Sequence, residues 1–252
     1  MKGLAIALAL PVAVVPVFAK EDSAHAVTGS VAFTTDYLFR GISRTDNGPA
    51  IQGHLQYIHR PWGVYLGAWA SNVDTVTSDG EIEVDWTGGI RGQFTDTGIG
   101  WDLGAIYYHF PGDDLDPEKD YIEAKLRLSY KLQDIPLEPA GSVTVYYSPD
   151  FYFETGDAVY IDTSLRLTLP FGIGLGLHIG YQGVDEVDIA DLDLDGDANE
   201  SYVDWRIGLS KEILGLTLDA SYWDAGDEKS LCGGSGSQNC RGSIVGTISK
   251  RF

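Results

Sequence analysis

The sequence predicts an all-β protein: a transmembrane, antiparallel, up-and-down β-barrel of about twelve strands behind a cleaved export signal. Three observations predict it. Twelve segments alternate apolar and polar residues with period two, as strands with one greasy and one wet face do. The connections between them alternate between short and long. No segment after the N-terminus has an apolar run long enough for a membrane helix.

The chain has 252 residues. Residues 1–26 read as a secretory signal peptide, with Lys2 as a positive start and an apolar core over 4–18 broken by Pro11 and Pro16. Small-residue cleavage signatures follow at Val17-Phe18-Ala19 and Ala24-His25-Ala26. The second is favoured, because a strand pattern begins at the next residue. Residues 27–252 are then the barrel domain.

The first segment, 27–37, places Gly29, Val31, Phe33, Thr35 and Tyr37 outward and Thr28, Ser30, Thr34 and Asp36 inward. Segment 51–59 sets Ile51, Leu55 and Tyr57 against Gln52, His54 and Gln56. Segment 64–71 sets Val64, Leu66, Ala68 and Ala70 against Tyr65, Gly67, Trp69 and Ser71. Segment 82–91 opposes Ile82, Val84, Trp86 and Ile90 to Glu83, Asp85, Thr87 and Arg91. Segment 101–108 opposes Leu103, Ala105 and Tyr107 to Asp102 and Gly104, although Ile106 and Tyr108 blur its polar face.

The second half is cleaner. In 121–130 the inward residues are Glu123, Lys125, Arg127 and Ser129; in 143–148 the outward ones are Val143, Val145 and Tyr147. Segment 159–169 turns Asp162, Ser164, Arg166 and Thr168 inward. Segment 171–182 alternates most regularly, with Phe171, Ile173, Leu175, Leu177, Ile179 and Tyr181 against Gly172, Gly174, Gly176, His178, Gly180 and Gln182. Segment 203–210 turns Asp204, Arg206 and Ser210 inward, and 214–223 does so with Thr217, Asp219 and Ser221. Segment 243–252 ends the chain at Phe252, with Ile244 and Ile248 outward and Lys250 breaking the pattern unless it snorkels to the interface.

Short turns at one end and long loops at the other are the arrangement of an outer-membrane barrel. Outward aromatics near the strand ends, including Tyr37, Tyr107 and Tyr181 at the loop end and Tyr57, Tyr130 and Phe171 at the turn end, are expected to form interfacial girdles. Spanning strands must close on themselves, because hydrocarbon satisfies no free edge. The charged face then lines a lumen: Asp36, Glu83, Asp85, Asp102, Glu123, Asp162, Asp204 and Asp219 against Arg91, Lys125, Arg127, Arg166, Arg206 and Arg251. A dry core would pay several kcal/mol for each such charge left without a partner. Water in the lumen removes that penalty; opposite charges cross-linking the lumen would instead plug it. The inward glycines, such as Gly172, Gly174 and Gly176, leave space and favour a passage.

The net charge is −20, so the polyanionic backbone of a nucleic acid is excluded as a partner. The two cysteines, Cys232 and Cys240, lie in one polar segment, where an exported protein is expected to close a disulfide. Two sulfurs without a nearby histidine make a poor zinc site.

The sharpest local signature is 34–53, TTDYLFRGISRTDNGPAIQG. Through Asp36, Tyr37, Arg40, Gly41, Ser43, Pro49, Ala50, Gln52 and Gly53 it is similar to the opening motif of the TorF family of porin-like proteins, a Gcw-type domain of exported Gram-negative proteins. Residues 69–74, WASNVD, also resemble that family's third-strand end. The resemblance implies an outer-membrane barrel forming a pore, and supplies no catalytic residues. Physically, Asp36 and Arg40 could pair where the first strand meets its loop, with Gly41 allowing a sharp bend. The terminal Phe252 resembles the signal read by the barrel insertion machinery, which makes that machinery an expected partner beside outer-membrane lipid.

Two motifs compete with a purely structural reading. Asp191, Asp193, Asp195 and Asp197 are similar to the start of a calcium loop, but the twelfth position is Tyr202 rather than a bidentate acid, and strands flank it instead of helices. His178 would meet Ser164 and Asp162 only in one strand register, and no other histidine has an obvious serine partner, so no enzyme activity is expected. No cofactor is implied. The leading reading is passive diffusion of small hydrophilic solutes across the outer membrane, with a mild cation preference from the acidic loops. The alternatives are a non-conducting barrel acting as a structural or surface-adhesion module, and a soluble periplasmic binding domain.

Overall fold

A computed structural model describes residues 23–74, 81–112, 119–184, 200–226 and 239–252. Residues 1–22 of the expected 1–26 signal peptide, the Asp191–Asp197 acidic stretch and Cys232 lie outside the described residues. Among the described residues fourteen strands run in order: β1 (His25–Thr34), β2 (Leu38–Phe39), β3 (Ile42–Ser43), β4 (Ala50–His59), β5 (Val64–Asn72), β6 (Ile82–Gln93), β7 (Gly100–His109), β8 (Tyr121–Lys131), β9 (Ala140–Ser148), β10 (Ala158–Leu169), β11 (Ile173–Val184), β12 (Glu200–Ile213), β13 (Leu216–Asp224) and β14 (Ser243–Arg251). Twelve of them close one antiparallel barrel in which each pairs with its sequence neighbours, and β2 and β3 form a separate hairpin.

The barrel is closed by β1 against β14, with Ser30 opposite Arg251 and Thr34 opposite Thr247. Gly29 and Phe252 extend this seam by exchanging backbone bonds of 2.9 and 3.0 Å. A Cβ on Gly29 would lie 2.7 Å from the Phe252 ring, so the bare glycine is what lets the terminal aromatic lie against the strand. Lys250 sits on the outer face and sends its Nζ to the carbonyl of Gly215 at 3.0 Å, leaving the apolar band at the turn end.

Burial is inverted relative to a soluble protein. Outward side chains such as Val31, Phe33, Ile51, Leu55, Leu66, Trp86, Leu103, Ile122 and Leu126 are exposed, Leu66 by 62%. Inward Tyr65, Glu123, Thr144, Gln182 and Asp204 are buried. A continuous apolar exterior of this extent is unfavourable in water and favourable in hydrocarbon. No helix among the described residues is long and apolar enough to cross a membrane; the crossing elements are strands.

Three local expectations change. The first strand stops at Thr34, and Tyr37 is buried inside with its hydroxyl on Glu83 Oε1 at 3.1 Å, so it is not an outward girdle residue. Phe171 and Gly172 belong to the turn Pro170–Gly172, not to β11, and both adopt left-handed backbone angles (φ 64° and 70°). Gly172 therefore faces no lumen. The space beside Gly174 and Gly176 is also taken: a Cβ there would lie 2.7 Å from Ser210 Oγ and 3.0 Å from Arg206 Nη1.

Candidate functional site

Antiparallel register sorts the inward charges into rows. One row runs Arg91, Asp102, Arg127, Thr144, Asp162, Gly180, Asp204, each directly opposite the next across β6, β7, β8, β9, β10, β11 and β12. Because partners across a ladder share a face, Arg91, Asp102, Arg127, Asp162 and Asp204 all point inward. Glu83, Asp85, Glu123, Lys125, Arg166, Arg206 and Asp219 occupy the same face at other heights. Asp36 lies beyond β1, buried in the connection to β4.

The connection after β1 is the main feature that strand patterning missed. Instead of standing above the barrel, it folds as the β2–β3 hairpin, with Leu38 opposite Ser43 and Phe39 opposite Ile42. Its two turn residues, Arg40 and Gly41, have φ of 51° and 81°, the doubly positive signature of a type I′ turn. Gly41 is required twice. Its angle is left-handed, and a Cβ would strike Ala225 at 2.6 Å and Asp204 at 2.9 Å.

The hairpin crosses the lumen. Arg40 follows β1, yet its guanidinium lies 5.4 Å from the Tyr146 ring on β9, the sixth strand from β1 in either direction around the barrel. Nη2 donates to both oxygens of Glu123 on β8, at 2.6 and 2.7 Å, and Nη1 donates to Gln182 Oε1 on β11 at 2.7 Å. The Tyr160 and Phe39 rings flank the cation at 4.2 and 4.7 Å. Asp36 and Arg40 therefore do not pair. Asp36 Oδ1 instead accepts from Ser43 Oγ at 2.7 Å, bracing the base of the hairpin. Burial pushes the Asp36 carboxyl above its ordinary range, against the lowering effect of these hydroxyls. The Ser43 amide donates to Asn239 O at 2.8 Å, which ties the hairpin to the segment before β14.

Beneath and beside the hairpin an aromatic cluster fills the loop end: Tyr108, Phe110, Tyr121 and Phe151, packed with Phe39, Tyr152 and Phe153. Tyr108 donates to Glu123 Oε2 at 3.0 Å, so the carboxylate that receives Arg40 is held from two sides.

Lower in the lumen, Arg206 Nη2 donates to both oxygens of Asp219 at 2.7 and 2.8 Å, and Lys125 stands 3.4 Å from Asp102. His178 does lie opposite Ser164. However, its Nδ1 is 2.8 Å from Asp162 Oδ2 and its Nε2 is 2.7 Å from Asp204 Oδ1. With both nitrogens committed to carboxylates, the imidazole has no lone pair to take a proton from Ser164, whose Oγ is 3.5 Å away. The geometry is a structural cross-link and not a hydrolytic triad. Cys240 is disulfide-bonded.

Fold and inner face together define a class: a closed, twelve-stranded antiparallel barrel, apolar outside and charged inside. Solved structures it resembles include a NanC porin (TM-score 0.53, 8% identity, 89% of this chain and 98% of that one) and the COG4313 outer membrane channel from Pseudomonas putida F1 (TM-score 0.51, 10% identity, 94% and 99%). At these identities the likeness shows the fold. No curated protein sequence matches the chain. A family model described as "Bacterial protein of unknown function (Gcw_chp)" matches residues 18–252, and the chain belongs to that family.

Proposed function

We propose that the protein is a porin-like channel of the Gram-negative outer membrane, exported by its signal peptide, that passes small hydrophilic solutes down their gradients. The observation that carries this reading is the pairing of a closed, lipid-compatible exterior with an inner face of charged side chains. The TorF-like motif supports it further. The motif's residues build the inserted hairpin, which gives a recognisable sequence signature a physical role: the hairpin holds the loop end of the lumen shut, with Arg40 and Glu123 as its latch. Carboxylates near the loop end, Asp36, Glu83, Asp85, Glu123 and Asp204, support a mild cation preference for small ions entering there. Phe252, zipped to Gly29, is the element offered to the insertion machinery.

A second reading is favoured by the same latch. A hairpin crossing the full lumen on a buried ion pair suits a permanently plugged barrel that presents its loops as a surface module. Planar-bilayer recording on the refolded mature chain separates the two. Discrete conductance steps, more frequent once the latch is cut, support the channel. Silence in both wild type and latch variants supports the plugged module.

A further inference from the structure

Acidic and basic side chains are not mixed evenly along the lumen. Glu83 and Asp85 sit at the start of β6, Glu123 at the start of β8 and Asp204 early in β12, all toward the long loops. Arg91 near the end of β6, Arg166 late in β10 and Arg251 at the end of β14 lie toward the short turns, with Arg127 and Arg206 between. In this turn-end half the inward carboxylates are Asp102, Asp219 and Glu212; Asp102 holds Lys125 at 3.4 Å, Asp219 holds Arg206 at 2.7 Å, and Glu212 lies near the end of β12 within electrostatic reach of Arg251. Among the described residues Arg91, Arg127 and Arg166 have no ion-pair partner.

Like charges gathered in a space of reduced dielectric repel unless an anion joins them. Arg127 adds a directional sign. It is buried, and both Nε and Nη2 lack a hydrogen-bond partner, as does Oγ1 of Thr144, the residue directly opposite it on β9. The Nε–Nη2 edge is the fork that grips a carboxylate through two parallel bonds. Leaving such donors buried and unpaired costs free energy that a ligand recovers. Asp102 and Asp162, whose charges reach Arg127, would repel a dianion, so a singly charged group fits best. Arg166, exposed on the inner face, offers the first contact from the turn end.

We propose that the turn-end half of the lumen is a binding chamber for small monocarboxylates, gripped by Arg127 and Thr144 and drawn in by Arg91 and Arg166. The proposal rests on the reading of the lumen as a water-filled passage, and gives that passage a solute class.

Glucuronate and glucose form a matched pair that differs at one carbon, carboxylate against hydroxymethyl. Isothermal titration into the barrel folded in zwitterionic micelles, with folding checked by heat-modifiable gel mobility, is expected to give binding heat with glucuronate and none with glucose. Arg127→Gln and Arg166→Gln are each expected to weaken glucuronate binding about tenfold, the loss of one charge-assisted contact. Equal heats for the two sugars, or tighter binding of glucose 6-phosphate than of glucuronate, would overturn the assignment. The wild-type comparison does not depend on the variants folding. A barrel that conducts but shows no glucuronate heat refutes the chamber and keeps the channel. Glucuronate heat in a barrel that never conducts refutes the channel and keeps the chamber.

Discussion

Replacing Arg40 with alanine removes the one cation that reaches across the lumen to Glu123. Glu123 is 1% exposed, so in the inserted state the variant leaves a buried carboxylate with only the Tyr108 hydroxyl. Breaking a buried ion pair from one side costs about 3–5 kcal/mol. With the hairpin withdrawn, water reaches Glu123 and the penalty disappears, so the cost falls on the inserted state alone. At ~1.4 kcal/mol per factor of ten, the ratio of inserted to withdrawn hairpin should fall by about 10²–10⁴. Open probability in planar bilayers reads this ratio directly. Glu123→Gln should act in the same direction, by stranding Arg40 among the rings of Phe39, Tyr146 and Tyr160. The double variant Arg40→Ala/Glu123→Gln should open the channel less than the two single effects combined, since each single already removes the pair. Folded Arg40→Ala and Glu123→Gln barrels with wild-type open probability would refute the latch.

Other consequences concern turns, seam and loop base. Leu214 is 95% exposed with φ 53°, immediately before Gly215 at 73°, so a bulky residue occupies a doubly positive turn where asparagine is the favoured choice. Leu214→Asn should raise unfolding stability by about 1 kcal/mol, visible as a higher urea midpoint in detergent; a lower midpoint would mean that the leucine is held by lipid contact. Gly29→Ala should push the Phe252 ring off the seam and lower the yield of heat-modifiable folded barrel, with the neighbouring Ser30→Ala as an unaffected control. Asp120 is opposed by burial, but hydrogen bonds from Tyr107, the Phe110 amide and His109 outweigh it and hold its carboxyl below the ordinary 3.8. A depressed carboxyl contributes stability that is present above 3.8 and lost as pH falls through the lower folded value. The protection factor of the Phe110 amide should therefore fall in that acid window in wild type, while in Asp120→Asn it should be low and independent of pH there.

The strand pattern carried most of the architecture because alternation is local. Ile122, Leu126 and Leu128 against Glu123, Lys125 and Arg127 can be sorted by counting, whatever the rest of the chain does. The turn at Phe171 shows the limit of counting: its phase matches the strand, but Pro170 and Gly172 bend the backbone, and only three-dimensional closure of β10 on β11 decides where the bend falls. The lumen charges were legible as a set and not as pairs. Asp36 and Arg40 are close in sequence and on one segment, so proximity suggested a bond; the hairpin turn instead points Arg40 at a carboxylate 83 positions further on.

By itself the sequence determined which strand faces meet lipid and which meet the lumen, that about twelve strands cross, and that the chain must close into a ring, because period-two alternation and the absence of hydrogen-bond partners in hydrocarbon leave no other arrangement. Only the tertiary structure decided that the connection after β1 turns inward, that Arg40 reaches Glu123 and Gln182, and that His178 is clamped between Asp162 and Asp204. The hairpin contacts join elements far apart in the chain across an enclosed space, and the His178 clamp spans the neighbouring strands β10, β11 and β12. Their partners are selected by register and shear around the barrel, which no single segment encodes.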